Sequence, residues 1–195
     1  METMEAIMSR HSVRKWQDKE VPREVLEKII EAGRFAPSGM NKQTTHFFVV
    51  RKKETLDALA RLVEKEFAAM EDDPEKNKNF IGSIRQSKRG GYVFHYNPPA
   101  LVITCNQKGY GNALPDTSVA LENMFLAATD MGLGTCWINQ LYWLQKNKNI
   151  LAFLHDFGMK DDEESFGSMS IGYTSEGLSA HKPAPRKGNE VTWVD

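Results

Sequence analysis

Residues 10–16 read Arg10-His11-Ser12-Val13-Arg14-Lys15-Trp16, and residues 36–43 read Ala36-Pro37-Ser38-Gly39-Met40-Asn41-Lys42-Gln43. The first stretch gathers guanidinium, imidazole and hydroxyl donors into one short length of chain. Arg10 and Arg14 are four apart, so a helical turn places them on one face. An extended segment instead aligns Arg10, Ser12 and Arg14 on one side. In either geometry the donors converge, and guanidinium forks suit the paired oxygens of a phosphate. The second stretch lies between a helical pattern and an apolar run. Pro37, Ser38 and Gly39 are turn formers, Gly39 permits close backbone approach, and Asn41 and Gln43 each carry a donor and an acceptor.

The bulk sequence excludes several classes. At 195 residues, 41% hydrophobic and 26% charged, the chain suits one globular domain. A net charge of −1 supplies no field to hold nucleic acid. No apolar stretch nears the ~20 residues that span a bilayer, and Met1 to Arg10 lacks the apolar core of a secretory signal. No partnership with nucleic acid or membrane is expected. The two cysteines, Cys105 and Cys136, fall in apolar runs and read as buried free thiols, which fits a reducing, cytoplasmic location. Without His/Cys ligand spacing, no metal site is expected.

Along the chain, Glu5 to Met8 reads as a short helix. Pro22 stands at the first helical position of a segment in which Val25, Leu26, Ile29, Ile30 and Gly33 follow helical spacing. His46 to Val50 reads as a buried strand. Leu56, Leu59, Ala60, Val63, Phe67 and Met70 mark an amphipathic helix. The polar run 71–91 is the least ordered in appearance. Ala100 to Cys105 reads as a strand, Pro115 opens a helix that is apolar nearly all round over Val119 to Met131, and Thr135 to Ile138 reads as a strand. A further helix is expected near Leu151 to Phe157, a solvated acidic loop over Asp161 to Glu164, a last strand over Phe166 to Tyr173, and an extended tail from about Ser179. This order predicts an α+β domain, helices packed on a small sheet.

Two further segments complete the pattern, Gly132-Leu133-Gly134-Thr135-Cys136-Trp137-Ile138-Asn139-Gln140 and Lys182-Pro183-Ala184-Pro185-Arg186-Lys187. The first is not a dinucleotide fingerprint, because it lies between helix and strand and lacks the third glycine. Taken together, the four segments resemble the FMN-dependent nitroreductase family, with its Arg-x-Ser-x-Arg/Lys, Ala-Pro-Ser-x-x-Asn-x-Gln, Gly-Leu-Gly-x-x-Trp and Pro-x-Arg motifs.

The resemblance implies a single domain over 1–195, with a mixed, mainly antiparallel sheet between helices and an intertwined homodimer whose tails reach the partner. It implies cofactor contacts from Arg10, Ser12 and Arg186 at the phosphate and ribityl chain, and from Arg14 at the ring edge. His11 is either a further contact or a local capping donor. Pro37, Ser38, Gly39, Asn41 and Gln43 close over the flavin from the partner subunit. Ile138 and Asn139 approach the ring through their main chain, and Trp137 is either a ring neighbour or a core residue. Tyr92, Phe94, His95 and Tyr96 either line the pocket or fill the core. The implied activity passes electrons from NAD(P)H through bound FMN to a nitroaromatic, quinone or similar small acceptor by a ping-pong mechanism. No side-chain acid or base is required, because the cofactor carries the chemistry. The alternatives are a non-catalytic flavin-binding or redox-sensing module, or a same-fold flavoenzyme with other chemistry, such as a dehalogenase or flavin destructase.

Overall fold

A computed structural model describes residues 1–177 and 185–194. The elements are α1 (Thr3–Ser9), α2 (Arg23–Arg34), β1 (His46–Val50), α3 (Lys53–Ala68), α4 (Ile81–Arg89), β2 (Ala100–Gln107), α5 (Ala113–Asp130), β3 (Gly134–Ile138), α6 (Gln140–Trp143), α7 (Lys148–His155) and β4 (Glu163–Gly172). The strands form one sheet in the order β1-β2-β4-β3, every ladder antiparallel. The parallel pairing among the described residues is a single bridge, Ser12 to Thr135.

Side chains alternate across a strand, and in β2 both faces are apolar. Leu101, Ile103 and Cys105 join Phe48, Cys136 and Ile138 under α3, α4, α6 and α7. Ala100 and Val102 join Met169 and Ile171 under α2 and α5. The sheet is therefore covered on both sides, and β2 is buried at every residue but Gln107. α2 presents Leu26, Ile29 and Gly33 to α5 at helical spacing. A Cβ on Gly33 would lie 2.9 Å from Met124 Cγ, so the absence of a side chain sets how closely the two helices cross.

The structure corrects several expectations. Pro22 is the residue before α2 (φ −56°, ψ 144°) rather than its first helical residue. The polar run 71–91 contains α4, whose buried face is Ser83, Ile84 and Ser87. The acidic loop is not wholly solvated. Glu163 opens β4 with 3% exposure and accepts from the backbone N–H of Lys160 (3.0 Å), and His46 Nδ1 lies 3.0 Å from its carboxylate. α5 is covered over Leu121, Met124, Phe125 and Ala128, while Leu114 and Val119 remain partly open to solvent. Cys105 and Cys136 are buried free thiols. Burial pushes the Cys105 thiol well above its usual range, with the Glu163 charge adding to it. Among the described residues no helix is long and apolar enough to cross a membrane.

Candidate functional site

α1 ends where Arg10 turns to extended backbone (φ −57°, ψ 132°). The chain then runs beside the sheet: Ser12 bridges Thr135, the Val13 N–H donates to the Thr135 carbonyl (2.8 Å), and Trp16 bridges Thr174. The extended alternative is therefore the one adopted. Val13 turns inward and is buried, while Ser12 and Arg14 on either side of it are exposed.

Arg10, Ser12 and Arg14 lie on the segment that runs beside β3, within electrostatic reach of the Cys136 thiol. Burial raises that thiol above its usual range, and the Arg14 and Arg10 charges together with bonds from Ser12 and Arg14 act against the rise. The Arg10 guanidinium also lies 5.9 Å from the centre of the Phe125 ring and 3.9 Å from the half-exposed Glu122 carboxylate, a weak pair. The Arg14 guanidinium lies 5.5 Å from the centre of the Tyr96 ring. His11 Nδ1 is 3.0 Å from the Ser9 carbonyl, the local contact at the end of α1 that a capping role calls for.

The same strand carries the third segment. Trp137 stacks toward Phe125 (6.0 Å between centres), packs on Gly167, and donates its ring N–H to Asn139 Oδ1 (2.5 Å). It belongs to the core with one edge free. The Ile138 side chain is buried and its carbonyl accepts from Ser168 Oγ (3.1 Å).

Gly134 is what lets the two segments touch. A Cβ there would lie 2.7–2.9 Å from Cβ, Cγ1 and Cγ2 of Val13, a stiff β-branched side chain that cannot swing aside. Gly134→Ala is therefore expected to cost about 1–3 kcal/mol and to push residues 12–14 off the strand. An unfolding midpoint in urea equal to wild type would show that the two segments do not pack this way.

The 37–43 loop stands apart within one chain. It winds through a short 3-10 turn, Gly39–Asn41, with Met40, Asn41 and Gln43 at positive φ (54°, 52°, 52°). Asp116, buried in the first turn of α5, accepts from the Gly39 N–H (3.1 Å), and Tyr110 donates to the Gly39 carbonyl (3.1 Å). A Cβ on Gly39 would run into the Asn112 amide and the Tyr110 hydroxyl. Ser38 Oγ accepts from the Gln43 N–H, and Gln43 Nε2 donates to Asn41 Oδ1. Pro37, Ser38, Asn41 and Gln43 line a cleft of about 460 Å³ that shares no lining residue with the surface around His11 to Lys15. Arg186 is exposed. Lys182, Pro183 and Ala184 of the same segment lie outside the described residues.

The aromatic run 92–96 divides. Phe94 and His95 are core. His95 Nδ1 accepts from the Asn97 N–H (3.1 Å), so Nε2 carries the proton and donates to the Leu56 carbonyl (3.0 Å). Burial lowers this histidine's pKa, which keeps it neutral. The Tyr96 carbonyl accepts from Trp16 Nε1 (2.9 Å), and Tyr96 and Asn97 both hold positive φ (63°, 52°). These bonds set the Tyr96 ring under Arg14. Sequence reasoning missed this platform, and the Asp116 anchor as well. The Asn97-Pro98-Pro99 punctuation was the available signal for the first.

The nitroreductase family profile matches residues 7–173. A putative NADH dehydrogenase/NAD(P)H nitroreductase of Methanothermobacter thermautotrophicus is 30% identical over 179 residues, covering 90% of this chain and 79% of that protein. A 4-nitrobenzoate reductase of Pseudomonas putida is 24% identical, covering 90% and 86%. The crystal structure of a nitroreductase with bound FMN from Bacteroides fragilis superposes with a TM-score of 0.89 at 33% identity, over the whole of both chains.

Proposed function

The chain belongs to the nitroreductase family, and from that premise we propose that it binds FMN and carries electrons from NADH or NADPH to a small acceptor such as a nitroaromatic or a quinone. The observation that carries this is the pairing of the Arg10–Arg14 segment with β3 at Thr135, which brings its basic and hydroxyl donors beside the strand that holds Trp137 and Ile138 and ends at Asn139.

The donor set fits the cofactor. A phosphate monoester bears about −1.5 to −2 charges at neutral pH, and Arg10 and Ser12 offer a guanidinium fork and a hydroxyl from one edge of an extended segment. Arg14, whose guanidinium lies beside the Tyr96 ring, takes the polar edge of the flavin ring in this reading, and the main chain at 138–139 takes its side. When bound, FMN supplies the reversible two-electron chemistry. The protein binds it, orients it and sets the charge around it. Donor and acceptor then use one face of the ring in turn, a ping-pong scheme that parallel double-reciprocal lines would support.

The 37–43 loop contributes to this site from a second copy of the chain. Within one copy it stands apart from Arg10 to Arg14, and Met4, Ile7 and Met8 of α1, Val119 of α5, Phe35 and Met40 leave apolar surface for a partner to cover. Two buried free thiols suit a reducing compartment such as the cytoplasm.

Protein purified from riboflavin-replete cells should be yellow and bleach with NADH or NADPH. Its mass by light scattering at micromolar concentration should be twice 22.1 kDa. Colourless protein that takes up no added FMN overturns the flavin reading. A monomer overturns the shared site.

A further inference from the structure

We propose that the groove between the end of α4 and residues 92–97 is a carboxylate-binding subsite, and that Arg89 is the residue through which the protein selects electron acceptors bearing an anionic group. The proposal rests on the flavin reading in calling the occupant an acceptor.

The groove holds about 560 Å³ and is lined by Arg14, Arg89, Gln86, Gly90, Gly91 and Tyr96 among others, with no Asp or Glu. The cleft on the other side of Tyr96 also reaches Arg14, but there Asp18, Glu20 and Asp57 face its cations. Four other guanidiniums pair with carboxylates, Arg23 with Glu27, Arg34 with Glu31, Arg51 with Glu20 and Arg85 with Asp72, while Arg61 and Arg186, which do not line this groove, have no such pair among the described residues. Among the described residues neither Arg14 nor Arg89 has a carboxylate partner, and both line this groove. A chain of net charge −1 has thus left two positive groups unneutralised in one place.

The plain reading of Arg89 is that it closes α4. It stands with Lys88 in the last turn, where cations complement the helix dipole, and its Nε donates to the Arg85 carbonyl (3.2 Å). That bond uses one of five donors and leaves the terminal fork for a ligand. The helix end contributes about half a negative charge, less than two guanidiniums supply. The Arg14 guanidinium lies 5.5 Å from the centre of the Tyr96 ring and adds its charge to the groove.

The rest of the lining suits a planar occupant. Gly90 and Gly91 turn the chain at positive φ (87°, 78°), and a Cβ on either meets nothing within 4 Å, so this wall is bare backbone and stays open. Tyr92 is fixed by Ser83 (2.9 Å) and by Gln140 Nε2, which donates to its hydroxyl (2.7 Å). Tyr96 is 40% exposed. Positive charge beside aromatic faces fits an aromatic acid. The extra phosphate of NADPH is the other anion such a fork could take. It sits on the adenosine ribose, remote from the nicotinamide that must reach the flavin, whereas Arg89 shares its groove with the residue placed at the ring edge.

The test uses the FMN-loaded full chain, with NADH as donor and two acceptors nearly equal in shape, 4-nitrobenzoate and 4-nitrobenzamide. In Arg89→Gln the ratio of kcat/KM for acid over amide should fall by about tenfold to a hundredfold, the range for a charge-assisted hydrogen bond. Arg89→Glu should lower it further and favour 4-nitrobenzylamine. Lys88→Gln, one residue away and outside the lining, should leave the ratio within about twofold. Calorimetric titration with benzoate gives a second readout independent of turnover, and Arg89→Gln should weaken that binding by the same factor. An unchanged ratio, an equal fall in Lys88→Gln, or an effect confined to NADPH over NADH would each overturn the proposal. The last would hand the groove to the donor's phosphate. Failure to take up FMN would sink the flavin reading alone, because benzoate binding by flavin-free protein still reports on the groove.

Discussion

Phe125→Ala is expected to lower the free energy of unfolding by about 3–5 kcal/mol, the usual range for deleting a buried aromatic ring. Phe125 is 3% exposed and sits on the face of α5 that packs, with Leu121, Met124 and Ala128, against the sheet. Its ring is 6.0 Å from Trp137 and 5.9 Å from the Arg10 guanidinium. Neither neighbour can fill the space. Trp137 is held by its bond to Asn139 and by packing on Gly167, and a guanidinium drawn into an apolar cavity would lose its hydration. The substitution also removes the ring beneath Arg10, a cation–π contact of about 0.5–1 kcal/mol, so flavin affinity should fall along with stability. Urea unfolding of flavin-free protein is the measurement, made at one protein concentration because a dimer's stability depends on it. Phe125→Leu keeps most of the volume and should cost less than about 1.5 kcal/mol. A cost below about 1 kcal/mol for the alanine variant would mean that α5 does not lie on β3 and β4 as described.

The parts of the fold that could be read from sequence are those whose burial follows a period. β1 was legible because five apolar, aromatic and imidazole side chains stand between turn signals, and α2 and α3 because their core residues recur every three or four positions. α4 was not, because the residues it buries beside Ile84 are Ser83 and Ser87, which carry no hydrophobic signal. Glu163 was read as solvated because its partner, His46, is 117 residues away along the chain. In the candidate site, the donors at 10, 12 and 14 were visible but their geometry was undecided, since both a helical and an extended segment place Arg10 and Arg14 together. Pairing with Thr135 decides it, and no local feature of the sequence announces that pairing. Asp116 was legible as an acidic residue at a helix start, yet its role is to hold the Gly39 N–H. Arg89 looked like one more cation on a polar run. Its interest comes from what the groove lacks, and that is a property of the fold.

Removing both N-terminal guanidiniums, Arg10→Ala with Arg14→Ala, is expected to weaken FMN binding by about 3–6 kcal/mol if the two act independently, from about 1.5–3 kcal/mol for each charged hydrogen-bonding group. Full additivity is the upper bound, because the two side chains sit four residues apart on one short segment and neighbouring residues couple. The single variants separate their roles. Riboflavin lacks the phosphate, so Arg10→Ala should erase most of the preference for FMN over riboflavin and leave riboflavin affinity nearly unchanged. Arg14→Ala should weaken both ligands by a similar factor if its proposed place is at the ring edge they share. Salt supplies an independent axis. Arg10 is only about one-third exposed, so its contact should persist at ionic strengths that abolish exposed pairs. Fluorescence titration of flavin-free protein with each ligand reads all of these affinities. If Arg10→Ala weakens FMN and riboflavin equally, the phosphate is not at Arg10. The remaining basic groups of the pattern would then have to hold it, with Arg186 the first to substitute because it is exposed.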